Sequence, residues 1–178
     1  MPRSRVQVDT VVEEIVFDLH HSLRDAGAEV TVEEIPPLCI EKVRLRQLLQ
    51  NLIQNSLRYR EPSRPLKIKV SVAGYDRQRH FVTLVVEDNG RGFPPERGRE
   101  IFQPFRRFNS EGVGLGLALC KKIALSYGGD IKATGRPDQG ASFYVRLPVW
   151  SVKEQTEPAA EEVMPVRIEV PPVRFPPQ

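Results

Sequence analysis

Apolar residues recur along this chain with two different periods, and the changes of period mark out its elements. After Thr10, which forms a capping-box pattern with Glu13, the residues Val12, Ile15, Val16, Leu19 and Leu23 repeat at three- and four-residue spacing. This spacing predicts a helix over about 10–25, stopped near Gly27. "AEVTVEE" then alternates as a half-buried strand does, until Pro36 and Pro37 interrupt it. From Glu41 to Tyr59 the helical period returns, with Val43, Leu45, Leu48, Leu49, Leu52, Ile53 and Leu57 in one stripe. "PLKIKVSVA" and "HFVTLVVE" alternate again around a polar connection containing Gly74 and Asp76, the pattern of a hairpin. A loop rich in Gly, Pro and Arg is expected from Asp88 to about Arg99. A helix from about Leu115 to Tyr127 follows, ended by Gly128 and Gly129, and the strands "DIKATG" and "SFYVRLPV" come last.

A chain of 178 residues suits one domain with tails. The expected division is an extension over 1–9, a domain over 10–150 and a tail over 151–178. The tail is first acidic and then proline-punctuated, so disorder is expected there, with an edge strand in "VRIEV" as the second choice. No apolar run approaches the roughly 18 residues that span a bilayer, and "MPRSRVQVDT" lacks the apolar stretch of a secretory signal. A soluble, cytoplasmic segment without membrane contact is expected. Cys39 and Cys120 are far apart and without zinc or redox spacing, which makes them reduced fillers. The net charge of +3 is scattered among acids. It suits an anionic small ligand or an acidic partner better than nucleic acid.

Three clusters carry candidate chemistry. In "NLIQNSLRYR", Asn51, Asn55 and Arg58 fall on one strip of the helix, away from the apolar stripe. An asparagine amide offers Mg²⁺ a hard, neutral oxygen, and an arginine meets phosphate oxygens in pairs. A solvated polar face is the simpler reading of an isolated pair, but asparagine costs about half a kcal/mol in a helix relative to alanine, which that reading leaves unexplained. In "VEDNGRGF", Asp88, Gly90 and Gly92 form D-x-G-x-G at a strand end, where a flat ring can approach the backbone and an aspartate can accept from the exocyclic amine of adenine. Guanine would set acceptor against acceptor at a cost of roughly 1–3 kcal/mol; a plain Asp-Asn-Gly turn is the alternative. In "GVGLGLALCKKIALSYGGDI", Gly112, Gly114 and Gly116 leave backbone amides open at a helix start, either as an anion site or as a flexible lead-in to a buried helix. Between the last two clusters lies "IFQPFRRF", whose Phe102 and Phe105 are expected to be core or loop anchors.

In this order the four stretches resemble the N, first glycine, F and second glycine boxes of sensor histidine kinases. The resemblance runs from about Val12 to Pro148 and is to the catalytic, ATP-binding domain, within the superfamily shared with gyrase and mismatch-repair ATPases. It implies an α/β fold, a two-layer sandwich of the Bergerat type with a mixed, mostly antiparallel sheet and helices on one face. It implies ATP and Mg²⁺ as cofactors. Asn55 matches the magnesium-binding asparagine and Asn51 its companion; Arg58 matches a basic phosphate-binding position and Tyr59 an aromatic one beside the nucleotide. Asp88 matches the adenine-reading aspartate, with Gly90 and Gly92 shaping the loop around the base. Arg107 matches an arginine that reaches the phosphates, and Gly112, Gly114 and Gly116 match the glycines beneath the triphosphate. The implied activity is transfer of the γ-phosphate to a histidine on a separate dimerisation hairpin, with a response regulator as indirect partner.

Three departures bear on that implication. The stretch from Phe105 to Gly112 is several residues shorter than usual, so the lid over the nucleotide is cut down. Position 58 is arginine where lysine is frequent, which keeps the charge and changes the geometry. The phosphoacceptor is missing: "HSLRDAG" at His21 lacks the acid and the proline of that motif, and His20, His21 and His80 read as surface or boundary residues. The alternatives are a non-catalytic scaffold or pseudokinase, and a serine/threonine kinase of the anti-sigma type, which "IFQPFRRF" opposes.

Overall fold

The computed structural model describes residues 4–104, 115–150 and 166–168. The chain opens with strand β1 (Ser4–Val6), followed by helices α1 (Val8–Asp18) and α2 (His20–Asp25), and strands β2 (Glu29–Val32) and β3 (Leu38–Ile40). The long helix α3 (Lys42–Arg58) leads into the hairpin β4 (Lys67–Tyr75) and β5 (Phe81–Asp88). A 3₁₀ helix (Pro95–Phe102), helix α4 (Gly116–Ser126) and strands β6 (Asp130–Arg136), β7 (Gly140–Pro148) and β8 (Val166–Ile168) complete the described chain.

Six strands form one sheet in the order β6-β7-β5-β4-β2-β8, and β1 pairs with β3 in a separate ribbon. Only β2 and β4 run parallel; the other pairs are antiparallel. Alternation decides which face is covered. On β5, Val82, Leu84 and Val86 are buried with Asp88 next in the same series, and on β7 Ala141, Phe143, Val145 and Leu147 do the same. α1, α3 and α4 close this face. α3 buries Leu45, Leu48, Leu49, Leu52, Ile53, Ser56 and Leu57, and α1 buries Val8, Val11, Val12, Ile15 and Val16. Each fully buried leucine in this layer contributes about 1.5–3 kcal/mol from leaving water, so the apolar stripe of α3 is what seats the helix on the sheet. The opposite sheet face carries Thr83, Glu87, Ser142, Tyr144 and Arg146. The result is a mixed, mostly antiparallel sheet with helices on one face, as the resemblance implied.

The ends differ from the sequence reading. The expected helix over 10–25 is two helices, broken at Leu19 (φ −96°, ψ 10°), and Leu23 is the one buried residue of the second. Thr10 does not cap α1: the helix starts at Val8, after Gln7, without a side-chain cap. Pairing of β1 with β3 delivers the chain there, and burial of Val8 and Val11 holds it. Within the stretch expected as an extension, Ser4–Val6 form β1 and Val8 starts α1. The 3₁₀ helix occupies part of the stretch expected as loop, and it buries Ile101 and Phe102, the latter as an anchor. Beyond Trp150, Val166–Ile168 pair antiparallel with β2 at the sheet edge, within the stretch "VRIEV". No helix among the described residues is long and apolar enough to cross a membrane.

Candidate functional site

One strip of α3 forms a wall of a cavity of about 200 Å³ between the helix, the end of β5 and the start of α4. Because its apolar stripe faces the sheet, the residues a third of a turn away, Asn51, Asn55 and Arg58, face the cavity together with Gln54 and Tyr59. Asn51 is oriented: its Nδ2 donates to the carbonyl of Gln47 at 2.8 Å, leaving Oδ1 toward α4. A Cβ placed on Gly116 would stand 2.9 Å from that Oδ1, so glycine at the first residue of α4 lets the two helices close on this side. Asn55 is half-buried, and no hydrogen bond from another described residue occupies its side chain. Arg58 is exposed at the rim.

Asp88 ends β5 with its carboxylate on the helix-covered face. Ser56 Oγ donates to its Oδ2 at 2.8 Å, and the Gly90 N–H donates to Oδ1 at 2.9 Å; the Ala141 N–H also contributes. Burial nevertheless dominates and raises the Asp88 carboxyl above the usual carboxylate range, with these three donors offsetting part of the rise. The following loop is tightly held. Arg64 Nε donates to the Asn89 carbonyl at 2.8 Å, and its Nη2 donates to the carbonyls of Gly90 at 2.9 Å and Asp138 at 2.8 Å. Asn89 Oδ1 accepts from the Lys67 N–H at 2.7 Å, and the Arg91 N–H donates to the Tyr59 carbonyl at 2.9 Å. Gly92 has φ +63°, and a Cβ there would lie 2.0 Å from the Arg136 carbonyl oxygen. The loop is thus a rigid rim.

Of the residues singled out in the sequence, Asn51, Asn55, Arg58, Tyr59, Asp88, Gly92 and Gly116 line this one cavity. Gly90 is buried behind it, within hydrogen-bond reach of Asp88. Arg107, Gly112 and Gly114 lie outside the described residues, as does Phe105. Apolar residues not singled out in the sequence reading, among them Phe93, Ile101, Leu117 and Phe143, supply walls for a flat ring. Ser56 was missed as well, although a polar residue inside the stripe Leu52, Ile53, Leu57 was a visible signal. Arg64 had none, since its partners are up to 74 positions away.

The donor set fits a nucleotide: an acceptor carboxylate among apolar walls, an arginine at the rim and neutral amides between them. Among the described residues no group of three or more His, Cys, Asp or Glu is placed to hold a metal. A magnesium ion here would rest on the Asn55 amide oxygen together with phosphate oxygens, the arrangement Mg²⁺ favours. Other reactive groups are remote or inert. The Cys120 thiol is pushed up to about 12 by burial, and its Sγ contacts the Leu48 carbonyl at 3.6 Å. His20 and His21 start α2 with ring centroids 3.9 Å apart, and neither lines the cavity.

Comparisons with known proteins agree with this geometry. Residues 40–151 match the family described as "Histidine kinase-, DNA gyrase B-, and HSP90-like ATPase". The chain is 33% identical over 146 residues to the phytochrome-like protein Cph1 of Synechocystis sp. (strain ATCC 27184 / PCC 6803 / Kazusa), covering 80% of this chain and 19% of that protein. It is 41% identical over 120 residues to the sensor protein KdpD of Escherichia coli K12, covering 65% of this chain and 12% of that one. The chain thus spans a fifth or less of these two curated relatives. The catalytic domain of the histidine kinase ThkA, in a nucleotide-free form, superposes with a TM-score of 0.70 at 26% identity, covering 84% of this chain and 97% of that one. Full-length ShkA in complex with AMPPNP superposes with a TM-score of 0.71 at 24% identity, covering 84% and 32%. The chain belongs to the histidine kinase-, DNA gyrase B- and HSP90-like ATPase family, and within it has the fold of a histidine kinase catalytic, ATP-binding domain.

Proposed function

We propose that this chain binds Mg·ATP and presents the γ-phosphate to a histidine on a dimerisation hairpin, as the cytoplasmic catalytic domain of a two-component sensor kinase. The observation that carries it is the convergence of Asp88, Asn55 and Arg58 on one cavity with apolar walls. Asp88 accepts from the exocyclic amine of adenine, and Phe93, Ile101 and Phe143 exclude water from the ring. Asn55 offers its amide oxygen to Mg²⁺, which when bound neutralises phosphate charge. Arg58, with Arg107 and the glycines at 112, 114 and 116, is assigned to the phosphates. Phosphoryl transfer asks mainly for positioning and charge neutralisation, so no general base is needed on this domain. The acceptor histidine and the dimerisation region belong to another segment or chain, and a response regulator takes the phosphate afterwards.

The shortened stretch between Phe105 and Gly112 favours a second reading, a non-catalytic scaffold that keeps the fold for protein contacts. Calorimetric titration with ATP, with and without Mg²⁺ and with GTP as control, separates the two. Magnesium-dependent ATP binding that is lost in Asp88→Asn and weakened in Asn55→Ala supports the nucleotide site. Radiolabel passing from bound γ-³²P-ATP to an added dimerisation hairpin then supports catalysis. No binding at millimolar ATP would put the scaffold first.

A further inference from the structure

The Asp88 carboxyl lines the cavity with both oxygens accepting, Oδ1 from the Gly90 N–H and Oδ2 from Ser56. Ser56, 1% exposed, donates to Oδ2 at 2.8 Å, while the same hydroxyl oxygen lies 3.3 Å from the Leu52 carbonyl, the other acceptor within its reach. Two hydrogen-bond states are therefore open to this pair. With Asp88 ionised, the hydroxyl donates to Oδ2. With Asp88 protonated, the carboxyl O–H donates to Ser56 Oγ, and the hydroxyl turns its hydrogen to the Leu52 carbonyl. In both states the proton stays on the helix side, and the carboxyl shows the cavity an acceptor.

We propose that Ser56 is a positioning residue for base selection, whose hydroxyl keeps an acceptor of Asp88 toward the base and so excludes purines that carry an oxygen at the six position. The proposal rests on the nucleotide reading given above. Adenine presents an amine hydrogen, which an acceptor welcomes; guanine presents an oxygen, which only a donor can meet. A carboxyl free to turn its O–H toward the cavity would accept guanine. Burial raises the Asp88 carboxyl, and among the described residues the groups that lower it are neutral donors, Gly90, Ser56 and Ala141. Among the described residues, the titratable side chains that line the cavity beside Asp88 are Arg58 and Tyr59 of α3; Arg64 spends its guanidinium on backbone carbonyls, and β7 and the 3₁₀ helix present Ala141, Phe143 and Ile101. Without the Ser56 hydroxyl, Asp88 loses a donor that lowers its titration and the acceptor that holds its proton.

The test is calorimetric titration with ATP and with GTP, from about pH 5.5 to about pH 8, on the unmodified protein, Ser56→Ala, Ser56→Thr and Ser56→Cys. In the unmodified protein and Ser56→Thr, which keeps the hydroxyl, the ATP-over-GTP preference should hold constant across the range. In Ser56→Ala it should fall about tenfold at the acid end and return toward the parent value at the alkaline end. Ser56→Cys keeps the volume with a weak donor and should follow Ser56→Ala, which leaves the idea testable if the alanine variant folds poorly. Parent-like ATP binding in these variants with a preference insensitive to pH, or an equal loss for both nucleotides at every pH, overturns the role of Ser56 alone. Failure of the unmodified protein to bind ATP overturns the nucleotide reading and this proposal with it.

Discussion

Gly92→Ala tests whether the loop after β5 is as rigid as its contacts require. Gly92 sits at φ +63°, a region where an alanine costs about 1–2 kcal/mol. Its new Cβ would also lie 2.0 Å from the Arg136 carbonyl oxygen and 2.6 Å from that of Gly140. Both are backbone atoms of the β6–β7 turn, which cannot swing aside as a side chain does, so the loop itself must move. Movement strains the Asp138 N–H bond to the Arg91 carbonyl, 2.7 Å, and the Arg64 contacts, adding an overpacking cost of roughly 1–3 kcal/mol. The sum is about 2–5 kcal/mol, which for a chain of this size lowers Tm by about 5–15 °C. Gly74→Ala is the control, since a Cβ there meets nothing within 4 Å. Thermal unfolding followed by circular dichroism reads the stability, and ATP titration on the same samples reads the site. A Gly92→Ala protein melting within about 2 °C of the parent and binding ATP equally well would refute the rigid-rim argument.

The Asp88 carboxyl titrates above its unfolded value, so the native state binds the extra proton first: Asp88 opposes stability above its folded pKa, and the deficit is relieved as pH falls through it. Asp88→Asn is therefore expected to melt higher than the parent near neutral pH while losing ATP, with the Tm gap narrowing on acidification; a gap independent of pH would contradict the assignment. Arg64→Ala removes three donors from loop carbonyls and, being half-buried, should cost about 1–3 kcal/mol in urea denaturation and weaken ATP binding about tenfold. Unchanged affinity would show that the loop holds without this clamp. Cys120, with its thiol pushed up to about 12, should resist a disulfide reagent at neutral pH until the protein unfolds, whereas half-buried Cys39 should react earlier. Equal reactivity under native conditions would count against the packing around α4.

Wherever an element runs long enough to repeat its period, its identity was legible in the residues. α3, α4, the β4–β5 hairpin and β6–β7 all follow from 3.6- and 2-residue alternation, because burial of one face imposes that spacing on the chain itself. The strip Asn51, Asn55, Arg58 was legible for the same reason, and Asp88 was placed by the strand it ends. β1 and β3, three residues each, are too short to display a period, and they exist because each completes the other. The break at Leu19 and the pairing of β8 with β2 likewise answer to partners distant along the chain. The same holds inside the site. That Ser56 holds Asp88 across 32 positions, that Arg64 ties the loop to Asp138, and that Gly116 makes room for Asn51 are decided by packing between elements. Local spacing carries only what one helix or strand can bury by itself, so the sequence alone determined the longer elements and the chemical types of the site. The tertiary structure decided how those side chains are oriented, and which donors set the state of Asp88.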